Sequence, residues 1–244
     1  MTRKRPLLAI AVALATAAFA LSPFLTQEFA GFRPEQFPVV IDFWPVQPAG
    51  WAFGIWGVIY LWLLAGALWG WFRAPHDPDW QQMRIPLLVS LCLGIFWIAA
   101  ANAAPILATV MIFAMAAGAI VAMLRAGDDA RVWQVRPVAL YAGWLTVASG
   151  VGTGVVLSGY GVMTAQSAAL TMLALVMLVA LWVQFRRPAE WAYPVAIIWG
   201  LCGVCAANLP SGNWPVIVLS AIGVAALAAG FVLRGRAGKS RRAS

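Results

Sequence analysis

Eight apolar stretches of membrane-spanning length constrain this chain more than any other feature. They lie at about residues 7–25, 50–72, 85–103, 105–124, 137–157, 164–185, 191–208 and 214–233. A spanning helix needs about 20 consecutive apolar residues, and in hydrocarbon every backbone polar group must be satisfied within the segment. The chain is therefore predicted to be all-α, a polytopic membrane bundle of about eight transmembrane helices. Composition agrees: 63% of residues are hydrophobic and 10% charged, more apolar surface than a water-soluble domain can hide. The period-2 alternation of a membrane β-barrel is missing. The linkers "NAAP" and "NLPSGNWP" are so short that they predict tight hairpins between antiparallel helices, each stopped by a proline.

The net charge of +8 would suggest nucleic acid in a soluble protein. Its placement points instead to topology. With eight spans, one side holds Arg3, Lys4, Arg5, Arg73, Arg84, Arg125, Arg131, Arg136, Arg186, Arg187 and the tail residues Arg234, Arg236, Lys239, Arg241 and Arg242. The other side holds only Arg33. This positive-inside asymmetry predicts that both termini are cytoplasmic, in what is expected to be a bacterial inner membrane. The partners it implies are the bilayer and its anionic lipids, with no nucleic acid. The N-terminal stretch "MTRKRPLLAIAVALATAAFALS" has the basic start and apolar core of a secretory signal. It is also long enough to span, and a retained helix fits the charge count.

Chemistry at depth is sparse. Every acidic and basic residue is expected in a loop, a helix end or a tail, whereas ion-coupled pumps and proton relays place ionisable groups inside the membrane. A bis-histidine haem needs two histidines and the chain has one, His76. Cys202 and Cys205 form a CxxC in an apolar span with no neighbouring histidine, and read as small packing residues rather than metal ligands. No catalytic residue, no metal and no required cofactor is expected, and an enzyme is disfavoured because acid–base chemistry needs a positioned proton donor or acceptor. Gly66-xxx-Gly70 and Gly150-xxx-Gly154 predict close helix contacts and are compatible with a homodimer.

The tryptophans carry most of the remaining information. Trp44, Trp51, Trp69, Trp71, Trp182, Trp191 and Trp214 fall near span ends, as an interfacial belt would place them. Trp56, Trp62, Trp97, Trp144 and Trp199 lie at depth, where each indole N–H needs a partner and each ring offers a broad rigid wall. Helix two is expected to carry Phe53, Trp56 and Tyr60 at i, i+3 and i+7, within a single narrow stripe. Flat aromatic walls beside small residues suit a planar apolar ligand.

At these residues the chain resembles the tryptophan-rich sensory proteins, the TspO/MBR or translocator-protein family. "QPAGWAFGIWGVIY" is similar to the family's P-x-G-W-x-F…W…Y motif at helix two, "LGIFW" stands in the place of L-N-x-x-W on helix three, and "YAGWLTVAS" matches Y-L-x-W-x-T-x-A-T on helix five. Two departures remove polar atoms: the helix-three asparagine is Gly94 here, and the asparagine that closes the helix-five motif is Gly152. The resemblance implies a five-helix bundle over residues 1–159, with three additional helices over 160–234 and a basic tail over 235–244. It further implies a cavity for a tetrapyrrole such as protoporphyrin, covered by the loop before helix two, and a sensory, regulatory or transport role. The residues expected to enclose the small hydrophobic ligand are Trp51, Phe53, Trp56, Tyr60, Trp97, Asn102, Tyr141, Trp144 and Ser149. The alternative is an uncoupled small-molecule transporter using all eight helices.

The charge pattern yields a direct check. A C-terminal alkaline phosphatase fusion is expected to be inactive and a green fluorescent protein fusion at the same point fluorescent. Phosphatase activity at that end would remove one span from the scheme.

Overall fold

The computed structural model describes residues 6–27 and 29–240, with side chains up to Phe231. The basic residues Arg3, Lys4, Arg5, Arg241 and Arg242, and Glu28 in the first loop, lie outside the described residues. Among the described residues the helices are α1 (Leu7–Leu21), α2 (Ile55–Arg73), α3 (Pro78–Ala103), α4 (Pro105–Arg125), α5 (Val135–Gly159), α6 (Ala165–Arg186), α7 (Ala192–Asn208) and α8 (Trp214–Ser240). Short 3₁₀ turns occupy Ser22–Leu25, Pro34–Gln36 and Gly50–Gly54.

Seven segments are long and apolar enough to cross a membrane, and α7, apolar but only 17 residues long, is the exception. At about 1.5 Å per residue, α7 reaches about 25 Å, slightly less than a typical hydrocarbon core. The "NAAP" hairpin forms as expected, with Ala104 ending α3 and Pro105 opening α4. Helix α8 continues to Ser240, into the stretch expected as a tail. Helix α5 is deeply enclosed: 78% of its apolar window is buried, against 44% or less in the other six membrane-length segments.

The chain folds into two compact units that interleave along the sequence. Of the described residues, the first takes those up to 29 and 55–142, the second 30–54 and those from 143 onward. In the first, α1 packs on α2 and α3, and α3 on α4. Glycine decides how close these helices come: a Cβ on Gly66 would overlap the Trp133 carbonyl, and one on Gly70 the ring of Trp80. In the second unit, α8 packs on α6 and α7. There a Cβ on Gly150 would overlap Val176, and one on Gly154 would meet Val46 at 3.0 Å. The two sequence glycine pairs thus act as packing positions.

Arg84 departs from expectation. It lies within α3 rather than before it, and it is only 2% exposed. Its Nη1 donates to the Pro75 carbonyl at 2.9 Å, and its Nη2 to the carbonyls of Gly70 and Ala74 at 3.0 and 2.8 Å. These carbonyls lie at and just beyond the end of α2, where the helix dipole is negative and a cation is favoured. A charge counted among the topology markers is therefore the cap that fastens α2 to α3. Asp77 completes the corner, its Oδ1 accepting from the N–H groups of Asp79 and Trp80 at the start of α3.

Arg84→Met is expected to lower stability in mixed micelles by about 2–4 kcal/mol, because two buried acceptors and a part-buried one lose a charged donor. Arg84→Lys should recover only part of this, since a compact ammonium cannot reproduce the fork. Equal stability of all three proteins would contradict the capping role.

Candidate functional site

Within the first unit four rings from three helices meet. Trp56 stacks on Tyr60 with centroids 5.3 Å apart and planes 17° apart. Phe19 of α1 presents its ring edgewise to both, at 5.9 and 5.0 Å. Tyr141 of α5 lies 5.6 Å from Phe19 and 6.3 Å from Trp56. Three of the expected site residues, Trp56, Tyr60 and Tyr141, are thus brought together. Phe19 was not among the expected residues. The signal for it was Gly94: a Cβ there would come within 2.6 Å of the Phe19 ring, so the small residue in the asparagine position makes room for an aromatic one.

Tyr141 is fully buried and its hydroxyl meets Ser90 Oγ at 3.0 Å. Ser90 gives its single proton to the Met115 carbonyl at 2.8 Å, so Tyr141 is the donor to Ser90. The resulting chain links α5, α3 and α4. Ser90 also escaped the sequence reading, since a lone serine in an apolar span carries no pattern.

Trp97 and Asn102 find their partners elsewhere in the same unit. Trp97 donates its indole N–H to the Ala108 carbonyl at 2.9 Å across the α3–α4 hairpin, and Phe29 meets its ring edgewise at 5.0 Å. Asn102 Nδ2 donates to the Gln27 carbonyl at 3.2 Å, tying the end of α3 to the segment after α1. Trp62 likewise donates to the Val132 carbonyl at 2.9 Å.

The second unit holds the remaining expected residues. Phe53 meets Trp144 edgewise at 5.9 Å, and Trp51 meets Trp199 at 4.9 Å with planes perpendicular. Phe53 belongs to the 3₁₀ turn Gly50–Gly54, which directly precedes α2. Ser149 turns its hydroxyl back on the Leu145 carbonyl at 2.7 Å, as helical serines do, and is buried. Thr146 and Tyr193 share a buried hydroxyl–hydroxyl bond of 3.1 Å.

The segment leading into α2 is fastened to α7. Trp199 Nε1 donates to the Ala52 carbonyl at 2.8 Å, Ala49 N–H to the Gly203 carbonyl at 3.0 Å, and Asn208 Nδ2 to the Pro45 carbonyl at 2.8 Å. Gly203 lets Ala52 and Pro48 approach to within 2.9 Å of where its Cβ would be. The same segment is closed on itself by Phe37, whose ring contacts Phe32, Trp44 and Tyr160. The helices beyond residue 159 thereby position Trp51 and Phe53.

These clusters offer stacking surfaces and a few hydroxyl and indole dipoles. If Gly94 exists to seat Phe19, then Gly94→Asn should destabilise the protein by about 1–3 kcal/mol through overpacking. Combined with Phe19→Ala, it should cost far less than the sum of the single changes, by at least about 1 kcal/mol in a double-mutant cycle. Simple additivity in unfolding titrations would disprove the coupling.

A family model described as TSPO-like protein matches residues 7–234. No curated protein and no solved structure gives a match. The match begins at the first residue of α1 and ends within α8, so it takes in all the membrane-length segments described above. This integral membrane chain belongs to the TSPO-like protein family.

Proposed function

We propose that the protein is a sensory or binding protein for a planar hydrophobic ligand, a tetrapyrrole such as protoporphyrin, acting without catalysis, metal or a required cofactor. The observation that carries the reading is the four-ring cluster of Phe19, Trp56, Tyr60 and Tyr141, where two rings already stack face to face. A planar ligand would exchange these ring–ring contacts for ring–ligand contacts of the same geometry, at little cost in solvation. Phe53 with Trp144 and Trp51 with Trp199 supply further aromatic surface in the second unit. In this reading Trp97, Asn102 and Ser149 act through position: their polar atoms hold the hairpin, the segment after α1 and the α5 backbone. The protein would lie in a bacterial cytoplasmic membrane with both termini inside, as a monomer or homodimer.

The test is a protoporphyrin titration of detergent-purified protein, followed by porphyrin absorbance and tryptophan quenching. Saturable micromolar binding is expected, weakened at least about tenfold by Trp56→Ala and by Trp144→Ala, a loss of about 1.4 kcal/mol or more each. Circular dichroism should show both variants folded. Native affinity in both folded variants would refute the ligand assignment. Transport is the competing reading, and it predicts ligand flux into proteoliposomes in the absence of any proton or sodium gradient.

A further inference from the structure

At the helix ends of the first unit lies a cavity of about 560 Å³, which shares no residue with the four-ring cluster. It is formed by the end of α2, the start of α3 and the α4–α5 link. Its walls are aromatic. Trp69 stacks on Trp80 at 5.5 Å, the Arg84 guanidinium also lies over Trp80, and Trp133 is 39% exposed. Trp69 and Trp133 therefore provide the indole surface still open to a ligand.

The charged groups there are mixed in sign. Four aspartates, Asp77, Asp79, Asp128 and Asp129, face two arginines, Arg73 and Arg131, an excess of two acids. Asp77 is engaged by the start of α3, and Asp128 is bridged to Arg131 at 3.2 Å. What the cavity offers beyond these is Asp79 and Asp129 as acids, with Arg73 as a cation. Carboxylates beside indole faces are the chemistry that receives an ammonium group.

One further group asks for the opposite charge. Gln134 lines the cavity and is only 2% exposed, and its Nε2 has no hydrogen-bond partner among the described residues. A buried amide N–H without an acceptor is costly, and its complement is an oxygen from a ligand. A purely anionic group would meet the excess of acid, and a purely cationic one would leave Gln134 and Arg73 unanswered. A zwitterion with an ammonium next to an oxyanion answers both. The cavity sits at the ends of helices long and apolar enough to cross a membrane, where a bilayer around them would place its headgroups.

We propose that this cavity binds an ammonium–phosphodiester zwitterion, the headgroup chemistry of an ethanolamine phospholipid. Asp79 and Asp129 hold the ammonium beside Trp133, while Arg73 and Gln134 hold the phosphate oxygens.

The experiment is native mass spectrometry of the detergent-purified full chain, titrated with ethanolamine, choline and glycerol phospholipids of identical acyl chains. Ethanolamine lipid should be retained about tenfold better than the other two. Asp129→Asn, at an exposed position, should abolish that preference. Gln134→Leu should lower ethanolamine-lipid retention at least about threefold while the thermal midpoint stays level or rises, because the change removes an unsatisfied buried donor. A merely structural glutamine would not separate the two readouts. Displacement of the lipid by millimolar free phosphoethanolamine would show that the headgroup alone is recognised. Resistance to displacement, with the preference intact, would assign the site to the whole lipid. Equal retention of the three lipids, or native preference in both variants, would overturn the proposal.

Discussion

Helices in hydrocarbon gain little from hiding apolar surface from one another, because the lipid around them is as apolar as their side chains. This bundle therefore depends on close contact, and close contact depends on small residues set opposite large ones. Gly94 seats Phe19, Gly70 seats Trp80, and Gly203 admits the Pro48–Ala52 segment. Each pair exchanges a missing side chain for dispersion contact over a broad face. The tryptophan richness and the glycine richness of the chain are two halves of one packing solution.

Polar atoms are few at depth, and most act as fasteners between elements. Arg84 closes the end of α2, Trp97 spans the α3–α4 hairpin, and the Tyr141–Ser90–Met115 chain joins three helices. In the second unit, Trp199 and Asn208 hold the segment before α2, while Gln166 and Asn213 pair their side-chain amides through bonds of 3.1 and 2.8 Å. An indole or amide left unpaired in hydrocarbon is costly, so such bonds also specify which surfaces meet. What remains is ring faces stacked on ring faces, and a charged cavity at the ends of α2 and α3.

Helix count, hairpins and glycine contacts were legible in the sequence because length, hydropathy and small-residue spacing act locally. Trp56, Tyr60 and Tyr141 were legible too, through motif spacing. Phe19, Ser90 and Trp199's grip on Ala52 were not, because each depends on a partner distant in the chain. Apolar length alone starts helix two at residue 50, whereas Gly50–Gly54 winds as a 3₁₀ turn and Phe53 meets Trp144. Arg84 was counted as a boundary charge because sequence hydropathy started α3 seven residues too late.

The sequence by itself determined that the chain lives in a membrane as a helical bundle, since no other arrangement satisfies a backbone buried in hydrocarbon. It also determined the charge asymmetry and the aromatic motifs shared with the family. Only the tertiary structure decided which aromatic residues face one another, and that α7 positions Trp51 and Phe53. It alone placed Asp79, Asp129, Arg73 and Gln134 around one cavity. The physical reason is that hydropathy is summed along the chain. Partnership depends on which side of each helix turns toward another, and that is settled by steric fit between residues far apart in sequence.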